Sequence, residues 1–132
     1  MLRKFYFIGP VLVGLFLVAC DNLSPEEIRK RQHLPGKDFV ADKQQGKVIF
    51  AENCARCHGA NGKGTQQGPP LVDKIYRPGH HADLVFHWAV KDGVKQHHWD
   101  FGDMPALPNV SPEEVGHIIS YIRDAQRKAG IQ

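Results

Sequence analysis

The chain has 132 residues, which is room for one domain and a leader segment. Its 17 basic and 14 acidic side chains give a formal charge of +3, and subtracting Arg3 and Lys4 of the leader leaves +1. So slight an excess gives no electrostatic footprint for nucleic acid and excludes that class of partner.

The first element is a targeting signal. Arg3 and Lys4 precede an uncharged run from Phe5 to Ala19. A helix that spans a membrane needs about 20 apolar residues. Here Gly9, Pro10 and Gly14 interrupt a shorter run, so a span is disfavoured and an uncleaved anchor helix is the alternative. Leu17-Val18-Ala19-Cys20 resembles the lipobox of bacterial lipoproteins, whose cysteine is acylated and becomes the mature N-terminus. The resemblance implies a signal peptide over 1–19, a lipid on Cys20, and a chain anchored to a membrane facing the periplasm or the cell exterior. Asp21 resembles the signal that retains Gram-negative lipoproteins on the inner membrane. Residues 20–40 then read as a tether that holds the domain off the bilayer. Ser24-Pro25-Glu26-Glu27 predicts a short capped helix that Pro35-Gly36 ends, and none of the segment is expected in the core.

The domain proper is expected over 41–132. From about Ala41 the pattern predicts a helix running into Cys54, with Gly46, Ile49, Phe50 and Asn53 on one face. A glycine within a helix costs about 1 kcal/mol relative to alanine, so Gly46 implies that another helix crosses closely there. Cys54-Ala55-Arg56-Cys57-His58 comes next. Cys-x-x-Cys-His is the attachment signature of c-type haem. Two cysteines on one helical turn reach two vinyl groups, and the following imidazole meets the iron from the same side. A thioredoxin-like redox pair would follow a strand and precede a long helix, whereas this motif follows helical sequence and precedes a glycine-rich loop. A zinc site needs four ligands. His80, His81, His97 and His98 could supply some, but there is no second cysteine pair, and with Cys20 at the lipobox no cysteine remains for a disulfide.

Residues 59–70 hold Gly59, Asn61-Gly62, Gly64 and Gly68-Pro69-Pro70, which is loop chemistry. A helix is expected from about His81 to Lys91, with Leu84, Val85 and Trp88 on one side and Gly93 as its stop. Met104 is the one methionine beyond the leader. Its thioether is a soft ligand suited to ferrous haem, and a His/Met pair raises the haem potential. Pro105 fixes φ and pushes Met104 toward extended backbone, which lets a loop hold a sulfur over a ring face. His97 and His98 are the competing ligands. His33, His80, His81, His87 and His117 read as exposed polar residues, Trp88 as core packing and Trp99 as loop packing. The last helix is capped by Ser111, with Pro112 in its first position and Glu114 completing the box. Val115, Ile118, Ile119 and Ile122 recur along it at helical spacing, and Gly130 ends it. No strand-like alternation of useful length is present, so the fold class is all-α.

Gly46 with Phe50, the Cys54–His58 motif, Gly68-Pro69-Pro70-Leu71, Met104-Pro105 and a final helix bearing Tyr121 together resemble the class I (mono-haem) cytochrome c family over roughly residues 40–130. The resemblance implies a cytochrome c-like fold of three to four helices wrapped around one haem c, covalent through Cys54 and Cys57. It implies iron held between His58 and Met104, and a Pro69 carbonyl that orients His58 through Nδ1. Gly46 and Phe50 should pack against the Ile118–Ile122 region. The expected function is one-electron transfer without catalysis, beside a membrane, with oxidases, quinol-oxidising complexes or dehydrogenases as partners. Two other readings are a haem enzyme or ligand sensor whose distal Met104 leaves the iron, and a haem-free module that binds copper or zinc. A helical domain of about ninety residues buries little by itself, so the apo-protein is expected to fold poorly.

Overall fold

The computed structural model describes residues 23–132, so the leader and Cys20 lie outside the described residues. Five helices follow in chain order: α1 (Pro25–Arg31), α2 (Lys43–Asn53), α3 (Ala55–His58), α4 (Asp83–Asp92) and α5 (Pro112–Lys128). A 3₁₀ turn at Lys74–Tyr76 lies between α3 and α4. Among the described residues there is no strand, only an isolated antiparallel bridge between Val94 and Met104. The architecture is the all-α one expected from the sequence. No helix among the described residues is long and apolar enough to cross a membrane.

The molecule is organised by the crossing of α2 and α5. Ser111 starts α5 with a complete capping box: its hydroxyl accepts from the Glu114 N–H, and the Glu114 carboxylate accepts from the Ser111 N–H. The helical spacing then buries Val115, Ile118, Ile119 and Ile122 on one face. Asp42 caps α2 by accepting from the Gln44 and Gln45 N–H groups, and its own N–H donates to His117 Nδ1 at 2.8 Å. Gly46 marks the closest approach, because a Cβ there would lie 1.9 Å from the His117 carbonyl oxygen. Phe50 and Ile122, both 0% exposed, fill the crossing, and the Tyr121 ring lies 5.5 Å from that of Phe50.

Helix α4 departs from the expected phase. Leu84 and Val85 are half-buried, but Trp88 is 43% exposed and His87, expected at the surface, is only 4% exposed. The reason is that α4 packs against α5 on one flank and against a cavity on another, which Val85, Phe86 and Ala89 line. A helix with two apolar neighbours has no single stripe to read. Arg123 of α5 ties this corner together from a position only 7% exposed. It donates to Asp83 Oδ1 at 2.8 Å, to the Tyr76 carbonyl at 2.6 Å, to Gln126 Oε1 at 2.7 Å and to the His81 carbonyl, and it lies 4.9 Å over the Phe86 ring.

The segment before α2 enters no part of the buried core, but it is docked along α5 rather than free. Its helix α1 carries its own capping box at Ser24 and Glu27. His33 sits at φ 57°, in the left-handed region, and its Nε2–H donates to the Val110 carbonyl at 3.1 Å. The Gly36 N–H donates to Glu113 Oε1 at 3.2 Å. Phe39 lies so close over Gly116 that a Cβ there would meet its ring at 2.5 Å. His33 is therefore a docking residue and not merely an exposed polar one.

Candidate functional site

Where α2 ends, the chain makes one further helical turn, α3, with Cys54 as its N-cap. The Cys57 and His58 N–H groups both donate to the Cys54 carbonyl, at 3.1 and 2.9 Å, which fixes the spacing of the motif. All three side chains are half-buried and line a cavity of about 360 Å³. That volume falls in the range of roughly 300–1,000 Å³ usual for cofactor clefts. Leu71, Phe86, Val90 and Leu107 give the cavity apolar walls.

The glycine-rich loop after α3 folds back under the histidine. His58 Nδ1–H donates to the Pro69 carbonyl at 2.8 Å. A carbonyl only accepts, so Nδ1 carries the proton and Nε2 keeps its lone pair. Gly68 permits this approach, since a Cβ there would lie 2.9 Å from the Cys57 carbonyl oxygen. The Thr65 hydroxyl donates to that same oxygen at 2.6 Å, and the Gly64 N–H donates to the His58 carbonyl at 2.7 Å. Burial lowers the pKa of His58, and the Pro69 bond works against that shift. Burial also pushes the Cys54 thiol up to about 11, with Cys57 adding to the effect. A redox-active Cys-x-x-Cys pair has a lowered thiol pKa, so this environment argues against that rival.

Met104 enters from the far side of the sequence. Its backbone N–H and carbonyl exchange hydrogen bonds with Val94, both at 2.9 Å. Gly93, at φ 77°, passes so close that a Cβ would meet the Met104 carbonyl oxygen at 2.6 Å. The intervening loop is tied by the Lys95–Asp103 ion pair, by the Gln96 N–H to Asp103 Oδ1 at 3.0 Å, and by the Gly102 N–H to Gln96 Oε1 at 2.7 Å. The Lys95 hydrogen bond holds the Asp103 carboxyl below its ordinary pKa. Met104 itself is half-buried and lines the cavity, as do His97, His98 and Trp99 of the loop. Trp99 packs the loop against the cavity, and its buried Nε1, near the Tyr76 side chain, makes no hydrogen bond of ordinary geometry among the described residues.

Two thiols and an imidazole with a free Nε2 share this apolar cavity with a thioether and an unpartnered indole N–H. Those donors fit a flat apolar macrocycle with iron at its centre and carboxylates at its edge, and they define a helical haem-binding domain of the c type. Residues 44–126 match the family model described as cytochrome c, and the chain belongs to that family. Its cofactor is a covalently bound c-type haem. The chain is 44% identical over 114 residues to the Cbb3-type cytochrome c oxidase subunit FixP of Sinorhizobium medicae (strain WSM419), covering 77% of this chain and 36% of that protein. It is 39% identical over 126 residues to the Cbb3-type cytochrome c oxidase subunit CcoP of Azospirillum brasilense, covering 86% of this chain and 40% of that one. It therefore spans well under half of the length of these relatives. A solved structure, cytochrome cL of Methylophaga aminisulfidivorans MPT, superposes with a TM-score of 0.43 at 21% identity, covering 64% of this chain and 57% of that one.

The sequence offered His80, His81, His97 and His98 as partial zinc ligands and set that site aside for want of a second cysteine pair. The structure instead gathers His80, His81, His97 and His98 at one edge of the cavity, where three of the four line it. Burial, reinforced by their neighbours in the cluster, lowers the pKa of His81 and of His98.

Proposed function

We propose that this chain is an exported, membrane-tethered one-electron carrier in which Cys54 and Cys57 form the thioethers and His58 and Met104 fill the axial positions. The observation that carries the reading is that both thiols, the imidazole and the thioether line one apolar cavity. The bound haem supplies a metal that gains and loses one electron with no bond made to a substrate. The Pro69 carbonyl orients the His58 ring and raises the basicity of Nε2. The Val94 bridge and Pro105 hold the Met104 backbone extended, so that its sulfur is presented from the loop side. The Trp99 N–H supplies a donor for a carboxylate at the cofactor's edge. With His58 and Met104 both held to the iron, no position would be left for substrate, and the protein would carry electrons without acting as an enzyme.

Acylation of Cys20 would hold the carrier on the membrane, facing the periplasm or the cell exterior, as the lipobox resemblance implies. Relatives named as subunits of cbb3-type oxidase make a terminal oxidase the favoured partner, ahead of quinol-oxidising complexes and dehydrogenases. A second reading rests on His97 and His98, which line the same cavity as Met104. In it, either a histidine takes the sixth position or Met104 yields to a small ligand, as in a haem enzyme or sensor.

Haem staining of the mature protein on a denaturing gel tests the attachment, and absence of gel-stable haem overturns the reading. Met104→Ala should then abolish the sulfur-to-iron band of the ferric protein and lower the midpoint potential. An unchanged potential would give the sixth position to a histidine, and rapid carbon monoxide binding by the unsubstituted protein would favour the sensor. Cys20→Ser should move the protein from the membrane to the soluble fraction.

A further inference from the structure

The histidine cluster comes from two segments, the turn before α4 and the loop that ends at Met104. His80 Nε2 and His98 Nε2 face each other at 3.3 Å, long for a hydrogen bond. Two nitrogens on one tetrahedral zinc ion, each at about 2.0–2.1 Å, stand roughly that far apart. One ring nitrogen each from His80, His81 and His98 can be chosen so that all three lie within 4.8 Å of one another, a separation that small side-chain rotations would close. The supporting bonds are those that a metal site needs. His81 Nδ1–H donates to the Ile75 carbonyl at 2.8 Å, which leaves Nε2 as the ligand atom, and its own carbonyl is held by Arg123. His97 Nδ1–H donates to the Lys95 carbonyl at 2.8 Å, and its ring lies 4.4 Å from His98 and stacks on His81 at 6.0 Å.

We propose that His80, His81 and His98 form a site for one divalent transition-metal ion, zinc in class, at the edge of the haem cavity. Three imidazoles suit zinc, copper and nickel, and the tetrahedral spacing favours zinc. Water or His97 completes the coordination. Because His81 precedes α4 and His98 belongs to the other segment, a bound ion clamps the Met104 loop to the body of the domain. The site is compatible with Met104 or His97 in the sixth position of the haem, but not with His98 there.

The test titrates Zn2+ into the untagged, haem-loaded full chain in detergent, by calorimetry near neutral pH, with metal content measured after dialysis. One ion per chain is expected, with no change in the haem absorption spectrum. His98→Gln and His81→Gln should each weaken binding by at least the 10- to 100-fold that loss of a supporting partner costs at metal sites. His33→Gln, outside the cluster, should leave binding unchanged. Absence of binding below millimolar Zn2+ overturns the proposal, as does binding that survives both cluster substitutions. A haem spectrum altered by His98→Gln, with the protein still folded, also overturns it, because His98 would then serve the iron.

Discussion

Replacing Gly46 by alanine tests the helix crossing on which the fold depends. The added methyl carbon would lie 1.9 Å from the His117 carbonyl oxygen and 2.4 Å from its carbon. Both are backbone atoms, so no rotamer change relieves the clash, and α2 must retreat from α5 by about 1 Å even to bring the closest approach to 3.0 Å, still tighter than ordinary contact. A gap of that size forfeits a quarter to a half of each dispersion contact, and the contacts at stake include Phe50 and Ile122, both fully buried. Overpacking of this kind costs about 1–3 kcal/mol and occasionally more. Loosening the crossing adds to that, while the better helix propensity of alanine returns about 1 kcal/mol. We expect a net loss of roughly 2 kcal/mol, which for a domain of this size lowers Tm by about 8–16 °C. The assay is thermal unfolding of the haem-loaded protein, followed by far-ultraviolet circular dichroism and by the Soret band. Gly36→Ala is the control, since nothing lies within 4 Å of its added carbon, and it should be neutral or stabilising by less than about 1 kcal/mol. If Gly46→Ala melts at or above the parent temperature, the helices have room to spare and the reasoning fails.

Other outcomes follow from the same contacts. Arg123→Met removes the donor to the His81 carbonyl and leaves Gln126 Oε1 unmatched, while Asp83 stays solvated and the Tyr76 carbonyl keeps its bond from Gln126, so a loss of about 1–3 kcal/mol is expected in guanidinium denaturation; a loss below about 0.5 kcal/mol would show that the network contributes little. Ser111→Ala removes the acceptor for the Glu114 N–H and should cost about 1 kcal/mol in the same assay, whereas no change would mean that the cap is dispensable. Burial holds His87 below its ordinary pKa, opposed by a bond to His33 and by the Asp83 and Glu113 carboxylates. The unfolded chain therefore takes up the proton first, near pH 6.5, and stability that is complete above that pH declines as pH falls toward the folded value. His87→Leu should flatten the decline between pH 7.5 and 5.5, and parallel profiles for parent and variant would assign it to another group.

What could be read from the sequence was local. The Ser111 and Ser24 boxes each lie within four residues, the apolar spacing of α5 runs along one helix, and Cys54 to His58 is a single turn. What could not be read depends on residues distant in sequence. His80 and His81 meet His97 and His98 only once the loop closes on Val94, and nothing in either pair alone distinguishes it from a solvated one. Trp88 and His87 exchange their expected places because α4 has two apolar neighbours. The docking of residues 33–40 did leave a trace: Gly116 is the one glycine inside α5, and Phe39 is a lone aromatic in a polar stretch. Each accounts for the other once the ring is seated on the glycine.

If Cys20 carries a lipid, as proposed, that docking limits how far the domain could travel from the membrane. An extended chain advances at most about 3.3–3.6 Å per residue. Were residues 20–42 free, an acylated Cys20 would allow an excursion of roughly 75 Å. With the backbone secured from His33 onward and α1 wound at about 1.5 Å per residue, the slack from Cys20 falls to roughly 30 Å. Were Cys20 the lipid anchor, such a leash would keep the domain near the lipid surface instead of letting it range far above. Its encounters would then favour redox centres that neighbours expose close to the bilayer, and collision with them would become a matter of lateral diffusion and orientation.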